Sequence, residues 1–318
     1  MTTATPVRRA ATREAYGPTL VKLADAGVDL VALDADLAAS TGGNKLGRAH
    51  PNRWYTVGAA EANLIGMAAG LAAAGKVAYA ASFAVFLPGH CFDQIRVSIA
   101  QPQLNVKLIA SHGGVSVGED GASAQAVEDL ALMTSLANMR VVVPADVVET
   151  EQALTAAAYS DGPMYIRMGR PKIPVIYDEG HEFRIGKAHL ARPGGDVTVV
   201  ACGLLVGVAL EAAAALAAEG VSVRVLNMAT IKPLDAAALA AAAAETGAIV
   251  TAEEHSVIGG LGSAVARWLA LNAPVPMEQV GVQDRYGESG TWTQLLDRHG
   301  LTALGVAEAV RRVLARKA

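Results

Sequence analysis

Cysteine is nearly missing: the 318 residues hold only Cys91 and Cys202. They lie far apart and outside metal-ligand spacing, which excludes a disulfide framework and a cysteine-based zinc site. No apolar run is long enough to cross a bilayer, because Lys76, Asp93 and Glu211 interrupt the best candidates. A membrane protein is therefore not expected. Basic clusters are missing as well, and with a net charge of -4 nucleic acid is not an expected partner. Met1 to Tyr16 carries Arg8, Arg9 and Arg13 with no apolar stretch behind them, so no secretory signal is visible and a cytoplasmic location is the expectation. Alanine enrichment is the only compositional bias, and its helix propensity explains it.

What is present is apolar. Residues of hydrophobic type make up 52% of the chain and the mean hydropathy is +0.33, which predicts that some of this surface is buried against other subunits. The length predicts two domains. β-Branched runs alternate with Ala-rich stretches throughout, the pattern of parallel sheets covered by helices on both faces, so the class is α/β. In the first half, strands are predicted near 29–34, 54–57, 77–82, 105–111, 140–144 and 163–168, with helices near 12–26, 61–74, 85–99, 125–136 and 146–160. Between Arg170 and Gly195 the rhythm fails at Pro171, Pro174 and Pro193 and several glycines. We therefore divide the chain into doubly wound domains at 1–180 and 181–318. The second alternation predicts strands near 197–202, 221–227, 247–252 and 276–281, and helices near 204–219, 234–244, 260–272 and 305–316.

Three segments carry residues suited to chemistry. Val57-Gly-Ala-Ala-Glu61 places a glutamate at the opening of an apolar helix, where the helix dipole alone would favour a carboxylate. Ser82 to Arg96 concentrates Phe83 and Phe86, two of only four phenylalanines, at a strand-to-helix junction. Ligands of doubly wound folds bind at such carboxyl ends, although aromatic residues three apart on a helix also serve as core. Ser111-His112-Gly113-Gly114 through Gly118-Glu119-Asp120-Gly121 to Gln125 is a polar, glycine-rich loop after a strong strand. Its glycines permit positive φ, and its imidazole and carboxylates suit a hydroxylated or phosphorylated ligand.

Taken together these segments resemble the pyrimidine-binding domain of transketolases, and in length and layout the chain resembles the C-terminal subunit of split transketolases. The motifs carrying the resemblance are Ala11-Thr12-Arg13, Asp36 to Thr41, Gly58-Ala-Ala-Glu61, Phe83-x-x-Phe86 and Gly118-Glu119-Asp120-Gly121, with Ala252-Glu253-Glu254-His255 to Ala264 resembling the family's C-terminal domain. The fold implied is a pyrimidine-binding thiamine-diphosphate fold followed by a transketolase C-terminal domain-like fold. The cofactor implied is thiamine diphosphate with Mg²⁺. The activity implied is transfer of a two-carbon ketol unit between sugar phosphates.

The resemblance also assigns roles. Glu61 would hydrogen-bond N1' of the aminopyrimidine, so that the ring can take the proton from C2 of the thiazolium. Phe83 and Phe86 would line the pyrimidine pocket. Arg13, Ser40, His112 and Arg167 would hold the substrate phosphate, and Asp120 a substrate hydroxyl. Two positions depart from the family: Ala124 stands in place of a histidine that contacts the reacting end of the donor, and Gly89 in place of a third aromatic residue. No Gly-Asp-Gly followed by a distant Asn supplies Mg²⁺ ligands, so the metal site is expected from a larger diphosphate-binding partner, in a two-plus-two heterotetramer. The Gly259-Gly-Leu-Gly262 turn lacks the third glycine and acidic residue of a dinucleotide fingerprint. Competing readings are the β subunit of a 2-oxoacid dehydrogenase or related decarboxylase, and a non-catalytic scaffold subunit.

Overall fold

A computed structural model describes residues 8–317. Its strands are β1 (Arg9–Ala10), β2 (Leu30–Asp34), β3 (Trp54–Thr56), β4 (Val77–Phe83), β5 (Val106–Ser111), β6 (Arg140–Val142), β7 (Met164–Arg167), β8 (Ile173–Pro174), β9 (His189–Arg192), β10 (Val197–Ala201), β11 (Val223–Asn227), β12 (Thr230–Lys232), β13 (Ile249–Ser256) and β14 (Met277–Val282). One sheet has the order β12-β6-β7-β5-β4-β2-β3 and a second β14-β13-β10-β11-β9, while β1 and β8 form a short antiparallel ribbon. Pairing within each sheet is parallel except at one edge, where β12 runs antiparallel to β6 and β9 antiparallel to β11.

Every residue of β2, β5 and β10 is buried, as continuous apolar strands covered on both faces must be. Small side chains let the helices approach closely: the helix Glu61–Ala73 presents Leu64, Ile65, Ala68, Ala69 and Ala72 to the core. Caps set helix starts elsewhere. Asp146 accepts from the amides of Val148 and Glu149, and Asp235 from that of Ala238.

Several elements differ from the sequence expectation. The predicted helix over 12–26 begins with a 3₁₀ turn, Thr12–Ala15, before the helix Tyr16–Asp25. The one over 85–99 bends at Cys91, whose φ is -139°, and ends in a π turn at Arg96–Ala100. The helix predicted from 125 starts only at Asp129. Strand β12 has no counterpart in the sequence expectation. Although it follows β11 in the second half, it completes the edge of the first sheet. The two halves of the chain are thereby stitched together through backbone hydrogen bonds.

Candidate functional site

The candidate residues gather at the carboxyl ends of the first sheet. Phe83 ends β4, Ser111 ends β5 with His112 next, and Arg167 ends β7. Glu61 opens its helix directly after the β3 turn, and Ser40 lies in the short helix Ala38–Thr41 that follows β2. That segment is tied down by Asp34, which accepts from the Leu37 amide at 2.5 Å and the Thr41 hydroxyl at 2.9 Å. Burial raises Asp34 to about 6, partly opposed by these two bonds.

The Glu61 side chain is only 11% exposed. Its Oε1 lies 3.5 Å from the Ser82 hydroxyl and its Oε2 3.2 Å from His90 Nδ1. Beside it runs a column of near-parallel rings: His112 on Phe83 at 3.9 Å, Phe83 on Phe86 at 5.8 Å, and Phe86 on His90 at 5.2 Å. A carboxylate at the edge of stacked rings is a receptor for a flat nitrogen heterocycle. The imidazole of His90, resting on Phe86 with its nitrogen on Glu61, is such a heterocycle, so these residues fit an aminopyrimidine. Gly89 adds space, since a Cβ there would meet nothing within 4 Å.

His112 links this column to a second cluster. Its backbone has a φ of 59°, uncommon for a side-chain-bearing residue, and Ser111 Oγ lies 2.8 Å from its Nδ1. Burial, then the charges of Arg13 and Arg170, pull its pKa down to about 3. The fold therefore holds the neutral imidazole, and the stability this provides is complete above the ordinary value of 6.5 and lost as pH falls toward 3. Thermal melting should accordingly lose more stability between about pH 6.5 and pH 4 in the wild type than in His112→Asn; parallel curves would contradict the assignment.

Arg13 and Arg170 line a cavity of about 280 Å³ with Ser116, Glu119, Lys172 and Trp292. Arg13 donates to the Ser40 carbonyl, which brings those two predicted residues together, yet its Nε is buried without a partner. The Ser116 hydroxyl is likewise buried and unpaired. Arg170 donates to the Val117 carbonyl and meets Glu119 at 3.2 Å. Burial and the neighbouring Arg170 charge both lower the Arg13 pKa. Two guanidiniums held together with unpaired donors favour an anion. Asp120 is exposed at the end of the same loop.

Arg167, expected from the sequence to hold a substrate phosphate, does not line this cavity. Its Nε donates to Asp129 at 2.9 Å, and its Nη2 to the carbonyls of Ala126 and Glu254 at 2.9 and 3.0 Å. Both partners of that ion pair are buried, with side-chain exposures of 5% and 1%. The Arg167 Nε and Nη2 are spent, on Asp129 and Ala126 in the first half of the chain and on Glu254 in the second. Gly113 permits this, because a Cβ there would collide with the Arg167 guanidinium. Sequence reasoning missed Arg170, Ser116 and His90; the Arg167-Met-Gly-Arg170 spacing offered two guanidiniums without saying which faces the cavity.

In the second half, Glu253 fills the Gly259–Gly262 turn. Its carboxylate accepts from the amides of Leu261 and Gly262 at 2.7 Å each, so that helix N-terminus is occupied by the chain itself. Glu254 accepts from the Ser116 amide, and burial raises it to about 7 against the pull of Arg167 and Ser116. Across the outer face of the helix Glu61–Ala73, Ala62, Gly66 and Gly70 are exposed and Met67 is 39% exposed. Among the described residues no helix is long and apolar enough to cross a membrane.

Comparison with known proteins accords with this geometry. The family described as transketolase, pyrimidine binding domain, matches residues 8–175, and that described as transketolase, C-terminal domain, matches residues 186–306. The chain is 43% identical over 305 residues to the 6-deoxy-6-sulfo-D-fructose transketolase subunit SqwH of Clostridium sp. (strain MSTE9), covering 96% of this chain and 95% of that one. It is 34% identical over 299 residues to one of the subunits of the apulose-4-phosphate transketolase of Phocaeicola vulgatus, covering 94% and 96%. A solved structure described as a split gene transketolase, inactive beta4 tetramer, superposes with a TM-score of 0.89 at 47% identity, covering 97% of this chain and 99% of that one.

Proposed function

This chain belongs to the transketolase family as the C-terminal section of a split enzyme, and from that premise we propose that it transfers two-carbon ketol units between sugar phosphates together with a larger diphosphate-binding subunit. The observation that carries this reading is the shielded Glu61 carboxylate at the edge of the Phe83–Phe86 column, joined through His112 to the Arg13–Arg170 cavity.

Thiamine diphosphate, when bound, supplies the carbon nucleophile. Glu61, its side chain only 11% exposed, would hold the proton shared with the aminopyrimidine nitrogen of that cofactor. Phe86 would offer that ring a face to lie on, with Phe83 stacked behind it to hold Phe86 in place. Arg13, Arg170, the Ser40 segment and neutral His112 grip the phosphate of the sugar, and Asp120 takes a substrate hydroxyl. The Mg²⁺ ligands come from the partner, which covers the exposed face around Gly66, Met67 and Gly70, giving a two-plus-two assembly in the cytoplasm. The two orphaned donors, Arg13 Nε and Ser116 Oγ, together with two guanidiniums, suit a phosphate with its three acceptor oxygens and double charge better than the single carboxylate of an oxoacid.

Reconstitution tests this. The chain mixed with its diphosphate-binding subunit, thiamine diphosphate and Mg²⁺ should turn over ketose phosphates and not pyruvate or branched oxoacids, and the chain alone should turn over neither. Turnover of oxoacids only, or no cofactor-dependent circular dichroism on mixing, would reject the reading in favour of the dehydrogenase or the scaffold respectively.

Donor choice is decided near Ala124, which is buried at the end of the Asp120 loop. An apolar methyl there cannot donate to a ketose hydroxyl, so Ala124→His should change the ratio of turnover among standard ketose phosphates. Equal turnover of each by the two proteins would show that position to be irrelevant.

A further inference from the structure

His90 makes both contacts that the proposed function reserves for the cofactor's pyrimidine. Its ring stacks on Phe86 at 5.2 Å with planes inclined by 23°, and its Nδ1 lies 3.2 Å from Glu61 Oε2. Phe86 already has Phe83 stacked at 5.8 Å, a separation too small to admit another ring between them, because a ring inserted face to face needs roughly 7 Å from one neighbour to the other. A flat ligand that is to lie on Phe86 and bond Glu61 must therefore take the position of the imidazole.

The imidazole is free to yield that position. Its side chain is 56% exposed, and the next residue, Cys91, interrupts the helix with a φ of -139° and ψ of 31°. Gly89, immediately before it, has nothing within 4 Å of where a Cβ would stand. A change of rotamer moves the ring outward without disturbing the buried Leu87 and Cys91 that anchor this helix to the core.

Resting on the reading above, we propose that His90 is an internal stand-in for the aminopyrimidine: it caps Glu61 and covers Phe86 in the cofactor-free chain, and thiamine diphosphate binds by displacing it. The device keeps a carboxylate and an aromatic face from being left bare at a surface made to receive a cofactor. It also weakens cofactor binding by whatever the displaced contacts contribute.

The test is the Kd of thiamine diphosphate, measured calorimetrically with Mg²⁺ on the chain assembled with its diphosphate-binding subunit. His90→Ala removes the competitor without touching the core, and should tighten binding by about five- to tenfold, the worth of one exposed stack and one hydrogen bond. His90→Gln keeps a donor for Glu61 but no ring, and should fall between the two. Binding unchanged or weakened in His90→Ala, while Glu61→Ala still impairs it, would overturn the proposal and leave the functional reading standing. Equal affinity in the wild type and Glu61→Ala, or no binding by either, would sink the reading itself and the proposal with it.

Discussion

Replacing Glu61 by alanine should lower kcat of the assembled enzyme by about 10²- to 10⁴-fold, the range a positioned proton-transfer group contributes. The size of the effect follows from isolation. The carboxylate is 11% exposed and its side-chain neighbours are the Ser82 hydroxyl and the His90 imidazole, so no other acid stands close enough to replace it. The fold should lose little, about 1 kcal/mol or less, because Glu61 makes no side-chain cap and its one ion-pair partner, His90, is 56% exposed. Glu61→Gln sharpens the test. It keeps the shape and a hydrogen bond but cannot share a proton, so it should lose nearly as much turnover as alanine while retaining more cofactor affinity. Retention of half the wild-type kcat by either variant, at saturating cofactor, would remove Glu61 from the chemistry.

Two arginines three residues apart should fail in opposite ways. Arg170→Ala should raise KM for phosphorylated sugars by roughly 10- to 100-fold, the cost of one charge-assisted hydrogen bond, and should cost only about 1 kcal/mol of stability, for the Val117 carbonyl it leaves. A sugar without phosphate should not register the substitution. Arg167→Ala should instead cost about 3–5 kcal/mol of stability, since it leaves Asp129 charged, buried and unpaired, and also orphans the carbonyls of Ala126 and Glu254. Melting curves and KM values on the two variants separate the roles. A normally melting Arg167→Ala enzyme with a raised KM would restore the phosphate role to Arg167.

Much of the site was legible because local patterns dictate it. A strand end followed by small residues and a helix-opening acid puts Glu61 where a doubly wound sheet binds ligands, and the Phe83-x-x-Phe86 spacing joins two rings on one turn. The glycines after β5 announced a loop of positive φ, and Gly114, Gly118 and Gly121 adopt it with values of 80°, 83° and 80°. The Ser116 hydroxyl was hidden in the same stretch, because whether a serine ends buried and unpaired depends on what folds over it. Strand β12 was illegible for a related reason. Its three residues carry too little periodicity, and their pairing partner β6 lies far back in the chain.

By itself the sequence determined the alternation of strands and helices and which junctions carry the candidate acid and rings, since periodicity and turn chemistry act over a few residues. Only the tertiary structure decided which arginine faces the cavity. Arg167 ends a strand and meets Asp129 and Glu254, which are 38 and 87 residues away in sequence, while Arg170 lies beyond the strand and lines a cavity with Arg13. A guanidinium's availability is set by the carboxylates and carbonyls that reach it, and these arrive from distant segments that no local pattern brings together.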